Sequence, residues 1–336
     1  DEHTIELERR FPKIRTLSIV GEIEPTLDWL QSRIGLSDEK LGELVRRQPR
    51  ILDLSVRDVL EPNIFWLQKR LDLDQKSLQR VILRMTPMVG GLPQLLGSNM
   101  KENLEPTLTW LQERLSLDDH SLTKLVQSYP SVLGLNVEDN LKPKLTWLQE
   151  RLDMDDKSIS KLVKTMPSVL GLSVEDNLEP KLTWLQERLD VDKKSLRKLV
   201  QSYPSVLGYS IEDNLEPKLT WLQERLDIDD KSISKLVQSN PSVLGSCVED
   251  NLEPKLSWLQ ERLVLDDASL SSVVQQMPSL LAYSIEANLE PTINFYEYCV
   301  GLDAARTMIT KSPRICTASL ENRLKPSLAE AHEAGI

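Results

Sequence analysis

The chain repeats itself. Residues 180–216, PKLTWLQERLDVDKKSLRKLVQSYPSVLGYSIEDNLE, are preceded at 143–179 and followed at 217–253 by near-copies of the same length. The first and third of these copies differ at only six of 37 positions: Met154/Ile228, Lys164/Gln238, Thr165/Ser239, Met166/Asn240, Leu172/Ser246 and Ser173/Cys247. Tryptophans at 29, 66, 110, 147, 184, 221 and 258 set the register, every step being 37 residues except the second, which is 44. Phe295 continues the series, and Glu330 marks a worn last copy two residues early. A period of this length predicts a solenoid, because each copy buries its apolar face only by stacking on its neighbours.

Copies start at Pro25, Pro62, Pro106, Pro143, Pro180, Pro217, Pro254 and Pro291. Residues 1–24 keep only the tail of a copy, Pro12 standing 37 residues before Pro49, and read as an N-terminal cap. The solenoid is expected over 25–325, with 326–336 as a capping segment. The long second copy carries MVGGLPQLLGSNMKEN, whose Gly90, Gly91 and Pro93 signal a loop. It is either a tolerated surface insertion or a functional loop.

Within one copy, Asn177-Leu178-Glu179-Pro180 opens a first helix, since proline in a first turn gives up an N–H that has no partner there. This helix is expected to run to about Leu189. Asp192 caps a second helix that runs to Tyr203, before Pro204. Ser205-Val206-Leu207 reads as a short turn closed by Gly208 in the left-handed region. Ser210 then caps a short third helical turn. No alternating or β-branched run suggests a strand. The expected class is all-α, with two helices and a short third in each of about eight copies.

The pattern Asn-Leu-x-Pro-x-Leu-x-x-Leu, then a helix ending in Tyr/Met-Pro-Ser-Val-Leu, then Ser-x-Glu-x-Asn-Leu, recurs over residues 11–326. It resembles the mTERF family, the mitochondrial transcription termination factors. The resemblance implies a curved superhelix of helical triplets that holds double-stranded nucleic acid along its concave side. It also implies action in mitochondria or chloroplasts, in transcription termination or initiation or in RNA processing.

At about 100° per residue, the second helix sets a basic stripe opposite its buried stripe of Leu196, Leu199, Val200 and Tyr203. The stripe recurs as Lys76/Arg80, His120/Lys124, Lys157/Lys161, Lys194/Lys198 and Lys231/Lys235, and vanishes at Ala268 and Ser272. One register position from successive copies lines one strip of a solenoid, so these side chains could follow a phosphate backbone. The competing reading is a plain solvated helix face. The candidate nucleic-acid-binding residues are Lys76, Arg80, Arg84, Lys124, Lys157, Lys161, Lys164, Lys194, Arg197, Lys198, Lys231 and Lys235, with Arg46, Arg47 and Arg50 adding charge near the N-terminal end. Positions that vary between near-identical copies, Ser160/Arg197/Ser234 and Lys164/Gln201/Gln238, are candidates for sequence readout.

On the first helix, Trp184 and Arg188 share a face with Lys181 close by, and the Trp/Arg pairing repeats in every copy from Trp29/Arg33 to Trp258/Arg262. The ladder could stack on unpaired bases. The favoured reading packs Trp between copies under an Arg cation–π lid. Tyr129 and Tyr203 point inward and read as core.

A net charge of −11 opposes phosphate binding for the chain as a whole. Its distribution softens the objection. Residues 62–105 carry six basic and four acidic side chains, 180–216 six of each, and 254–290 two and five. Much of the acid lies at helix starts, where it caps and complements the dipole, and is expected away from the basic column.

Cys247, Cys299 and Cys316 offer no disulfide framework or zinc spacing. His3, His120 and His332 are scattered, no glycine-rich phosphate loop is present, and paired carboxylates such as Asp155-Asp156 recur as caps do. Repeats multiply the same residues, whereas a catalytic centre needs a unique constellation. The expectation is therefore no enzyme, no cofactor and no small-molecule substrate. No apolar run is long enough to suggest a membrane span, and a targeting segment would lie outside this chain. The expected protein is a monomer that binds double-stranded DNA, or alternatively RNA, in a mitochondrion or chloroplast. The rival is a protein-binding helical scaffold, or a consensus-like array without a ligand.

Overall fold

The computed structural model describes residues 9–85 and 100–333, and among these it contains helices and turns but no strand. The chain divides into two compact units, Asp1–Ser173 and Val174–Ile336. Each is a stack of the same repeat, so the all-α helical-repeat solenoid expected from the period is what forms. The loop expected at Gly90, Gly91 and Pro93 lies outside the described residues. The last four residues of that insertion, 100–103, form the first turn of the helix Met100–Leu115.

The copy at 180–216 shows the local logic. Its first helix is Glu179–Arg188, with Pro180 in the first turn. Its second helix is Lys193–Ser202, and Asp192 caps it by accepting the Ser195 N–H at 2.8 Å. Pro204 ends the helix and opens a 3-10 turn, Pro204–Gly208. The third turn is not a separate helix. Ile211–Leu215 is a π turn running straight into the next first helix, Glu216–Leu226. The reason is Pro217. Its ring would collide with the carbonyl four residues back, and widening the preceding turn to i→i−5, as in Leu215 N–H to Ser210 O at 3.0 Å, relieves the collision.

A left-handed stop at Gly208 is not found, since the glycines with positive φ among the described residues are Gly35 and Gly301. The left-handed position instead ends the first helix and is taken by Asp72, Ser116, Asp153, Asp190, Asp227 and Val264. Glycine in the 3-10 turn serves close packing. A Cβ on Gly171 would lie 1.8 Å from the Tyr129 hydroxyl oxygen, and one on Gly245 would lie 1.7 Å from that of Tyr203. Where the preceding copy has Asn240 in place of tyrosine, Ala282 replaces the glycine.

Val264 is a β-branched residue held at φ 55° and 70% exposed, so it gains little packing for its strain. Val264→Asp, the residue carried by most other copies, is expected to stabilise the chain by about 1 kcal/mol. The urea midpoint measures this, and an unchanged or lower midpoint would count against backbone strain at 264.

Leucines and valines from both helices fill the layer between copies. Leu178, Leu182, Leu185, Leu196, Val200, Val206 and Leu207 are fully buried. The tryptophans are only half-buried. The arginines that follow Trp66, Trp184 and Trp221 are bonded to the next copy rather than occupied as lids. Arg188 donates to Glu216 at 3.0 Å, to Gln223 at 2.5 Å and to Asp230 at 3.0 Å. Arg225 repeats this with Glu253 and Gln260, and Arg70 with Glu105 and Gln112. Six or more hydrogen bonds per unit thus clamp copy to copy through a planar fork that lysine could not supply.

Candidate nucleic-acid interface

The second helix carries the candidate column, and its orientation follows from its amphipathic pattern. In Lys193–Ser202 the inner positions Leu196, Leu199 and Val200 are at most 2% exposed. Lys194 and Lys198, on the other side, are exposed. Lys231 and Lys235 repeat this in the second unit, as Lys76, Arg80, Lys124, Lys157, Lys161 and Lys164 do in the first. None of these ten makes an ion pair among the described residues.

The expectation that acidic groups lie away from the column needs correction. The capping aspartates stand at its edge. The Ser195 side chain and backbone N–H hold Asp192 below the usual carboxylate range, and Lys194 and Lys198 add a smaller push in the same direction. Asp229 is held down likewise by Ser232 first and by Lys231 and Lys235 after it. These carboxylates are consumed as caps, so they weaken the local positive field without closing ion pairs on it.

Two candidate residues are placed otherwise. Arg84 is exposed, but its Nη1 donates to the carbonyls of Gln127 and Ser128 at 3.3 and 3.2 Å, closing the end of the next second helix. Arg197 is half-buried and already engaged. The readout positions that share its register face inward. Ser160 and Ser234 are buried, and their hydroxyls donate to the carbonyls of Leu115 and Leu189 at the end of the previous copy's first helix. Thr123 does the same to Leu71 at 2.8 Å. Variation at this position follows what can cap a helix end, not what could meet a base. Of the second readout set, Lys164 and Gln238 are exposed and Gln201 is half-buried.

A further set of charges went unread in the sequence. Lys144, Lys181, Lys218 and Lys255, one per copy, are 3–5% exposed. Each ammonium donates to a carbonyl of its own 3-10 turn: Lys181 to Leu207 at 2.6 Å, Lys218 to Leu244 at 2.5 Å and Lys255 to Leu281 at 2.6 Å. Each also donates to the asparagine four residues earlier, as Lys181 does to Asn177 at 3.3 Å. Burial pushes the Lys181, Lys218 and Lys255 amines below their ordinary value, while nearby Glu212, Glu249 and Glu286 oppose the shift. Lys181 is therefore an internal clasp and not part of a surface beside Trp184. The Asn-Leu-x-Pro-Lys spacing was the available signal.

Tyr203 is half-buried, with its hydroxyl 2.8 Å from that of Tyr209 and the two rings stacked at 6.3 Å. Burial and this pairing push its ionisation well upward. Cys316 is buried, and its thiol is pushed up to about 12, so it is no thiolate nucleophile. Among the described residues no group of three or more His, Cys, Asp and Glu could hold a metal ion, and no helix is long and apolar enough to cross a membrane.

Two comparisons bear on this geometry. A family model described as mTERF matches residues 1–92 and 84–333, the two matches meeting at the long second copy. No curated protein matches the chain.

Proposed function

Since the chain belongs to the mTERF family, we propose that it grips a nucleic-acid duplex, DNA in preference to RNA, and thereby regulates organelle gene expression by terminating transcription. The family is one of helical-repeat proteins that bind nucleic acid and serve organellar gene expression. The finer reading rests on one observation: ten exposed basic side chains on one face of the second helix, none in an ion pair among the described residues. Ammonium groups on successive copies, each on an exposed helix face, suit a phosphate backbone, which fixes register and contributes most of the affinity.

In this reading the protein acts without catalysis, cofactor or small-molecule substrate, as a roadblock to a polymerase. It works as a monomer in the mitochondrion or chloroplast, with residues 25–325 as the binding array between its two terminal segments. The net charge of −11 and the loss of the column at Ala268 and Ser272 favour the second reading, a scaffold for a protein partner.

Salt separates the two. A fluorescent duplex should bind at about 50 mM salt and weaken roughly a thousandfold by about 200 mM, if six or more phosphates are engaged. No binding at the lower salt would eliminate the duplex reading.

A further inference from the structure

The basic column stops at the second helix Asp267–Gln276, and something specific replaces it. Ala268 and Ser272 stand where the previous copy has Lys231 and Lys235. Between this helix and Asp230–Ser239 lies an open groove of about 420 Å³, lined by Lys235 and Ser239 on one side and Ala268, Ser272, Gln275 and Gln276 on the other. Its far wall carries no charge. Beside those small residues it presents two exposed amides, each bonded to a serine of its own helix: Gln275 Nε2 donates to Ser271 Oγ at 3.0 Å, as Gln238 does to Ser234 Oγ in the preceding copy, and Gln276 Nε2, where that copy has Ser239, donates to Ser272 Oγ at 3.1 Å. Each amide therefore keeps one N–H and its Oε1 for an outside partner, and neither Oε1 has a hydrogen-bond partner among the described residues.

We infer that this groove reads base edges, with Gln275 and Gln276 specifying adenine in the major groove of B-form DNA and Lys235 holding the adjacent phosphate. An amide offering an acceptor and a donor side by side matches the N6 donor and N7 acceptor of adenine. Small residues at 268 and 272 let a base edge approach, where two lysines would stop the helix at the phosphates. Anchoring by serine hydroxyls also spares the glutamines part of the ordering entropy that readout otherwise costs. The major groove of B-form DNA admits a helix, whereas that of duplex RNA is too deep and narrow for side-chain reading. The inference rests on the proposed duplex binding and adds to it the place and chemistry of selectivity.

The test is selection from a randomised DNA duplex library with the full chain, alongside Gln275→Ala, Gln276→Ala and the double variant Ala268→Lys/Ser272→Lys. The unaltered chain should enrich a motif containing A·T pairs. Each glutamine variant should lose about 5- to 150-fold discrimination at one position, with the salt slope unchanged. The lysine variant should steepen the salt slope by about 0.9 for each added phosphate contact and flatten the motif. Circular dichroism confirms that each variant is folded. The inference is overturned if the glutamine variants select the same motif as the parent, if the parent binds all duplexes alike, or if duplex RNA competes as well as DNA. Each of those outcomes leaves the duplex grip standing. No binding to any duplex at about 50 mM salt would remove the grip itself, and the readout with it.

Discussion

With Lys157, Lys161, Lys194, Lys198, Lys231 and Lys235 replaced by glutamate, duplex binding is expected to disappear at about 50 mM salt while the helical signal persists. Six contacts of this kind would contribute a slope of about −5 in log affinity against log salt, so their loss removes most of the electrostatic attraction and adds repulsion. The fold has little reason to follow. These side chains are exposed and make no ion pair among the described residues. Lys157, Lys194 and Lys231 lie in the first turn of their helices, where a glutamate suits the dipole. Fluorescence anisotropy of a labelled duplex, with circular dichroism on the same samples, decides the matter. A folded variant with parental affinity would move the contact surface elsewhere.

The outcome matters because charge alone points the other way. A chain of −11 can still attract phosphates when its acids are committed elsewhere. Asp118, Asp155, Asp192, Asp229 and Asp266 each bond the N–H three residues on, and Glu61, Glu105, Glu216 and Glu253, each just before a proline, pair with Arg33, Arg70, Arg188 and Arg225 of the preceding copy. These half-buried pairs help to clamp copy to copy. Their larger effect is to hold these carboxylates at helix starts and copy junctions, while the second-helix lysines stay out of ion pairs among the described residues.

What could be read from the sequence was whatever depends on local chemistry. The period, Pro180 in its first turn, Asp192 as a cap and Ser210 before the third turn all act within a few residues, so spacing reveals them. Contacts between copies were read less well, because their partners sit far along the chain. Arg188 looked like a lid for Trp184, four residues away, although its acceptors lie 28, 35 and 42 residues on. Ser234 varied between copies and suggested readout, yet its partner is a backbone carbonyl 45 residues back, and a carbonyl has no signature in a sequence. At Gly208 the sequence is ambiguous, because glycine serves both for left-handed φ and for close approach, and it is Asp190 that takes the left-handed position.

Lys181 is the sharpest such case, since lysine is among the residues least often fully buried. Replacing Lys181, Lys218 and Lys255 by methionine keeps most of each stem's packing and removes the ammonium. The carbonyls of Leu207, Leu244 and Leu281 then lose their donors. Replacing a buried charge by a hydrophobe can be neutral when its partner leaves too, but here the acceptor stays behind in the core. Each orphaned carbonyl is expected to cost about 1–3 kcal/mol. In a solenoid whose repeats contribute nearly additively, the triple variant should lose roughly 3–9 kcal/mol, comparable with the whole stability of many domains.

The pH dependence offers a second readout with a definite sign. Folding lowers these lysine pKa values below the ordinary 10.5. Between the lowered value and 10.5 the unfolded chain binds more protons, so this contribution to stability rises with pH across that window. The tyrosines oppose it in the upper part of the window, but equally in parent and variant. Urea melts across that window should therefore show the variant's stability falling further behind the parent's as pH rises. A triple variant as stable as the parent would mean that desolvating the ammonium groups cancels everything their hydrogen bonds contribute.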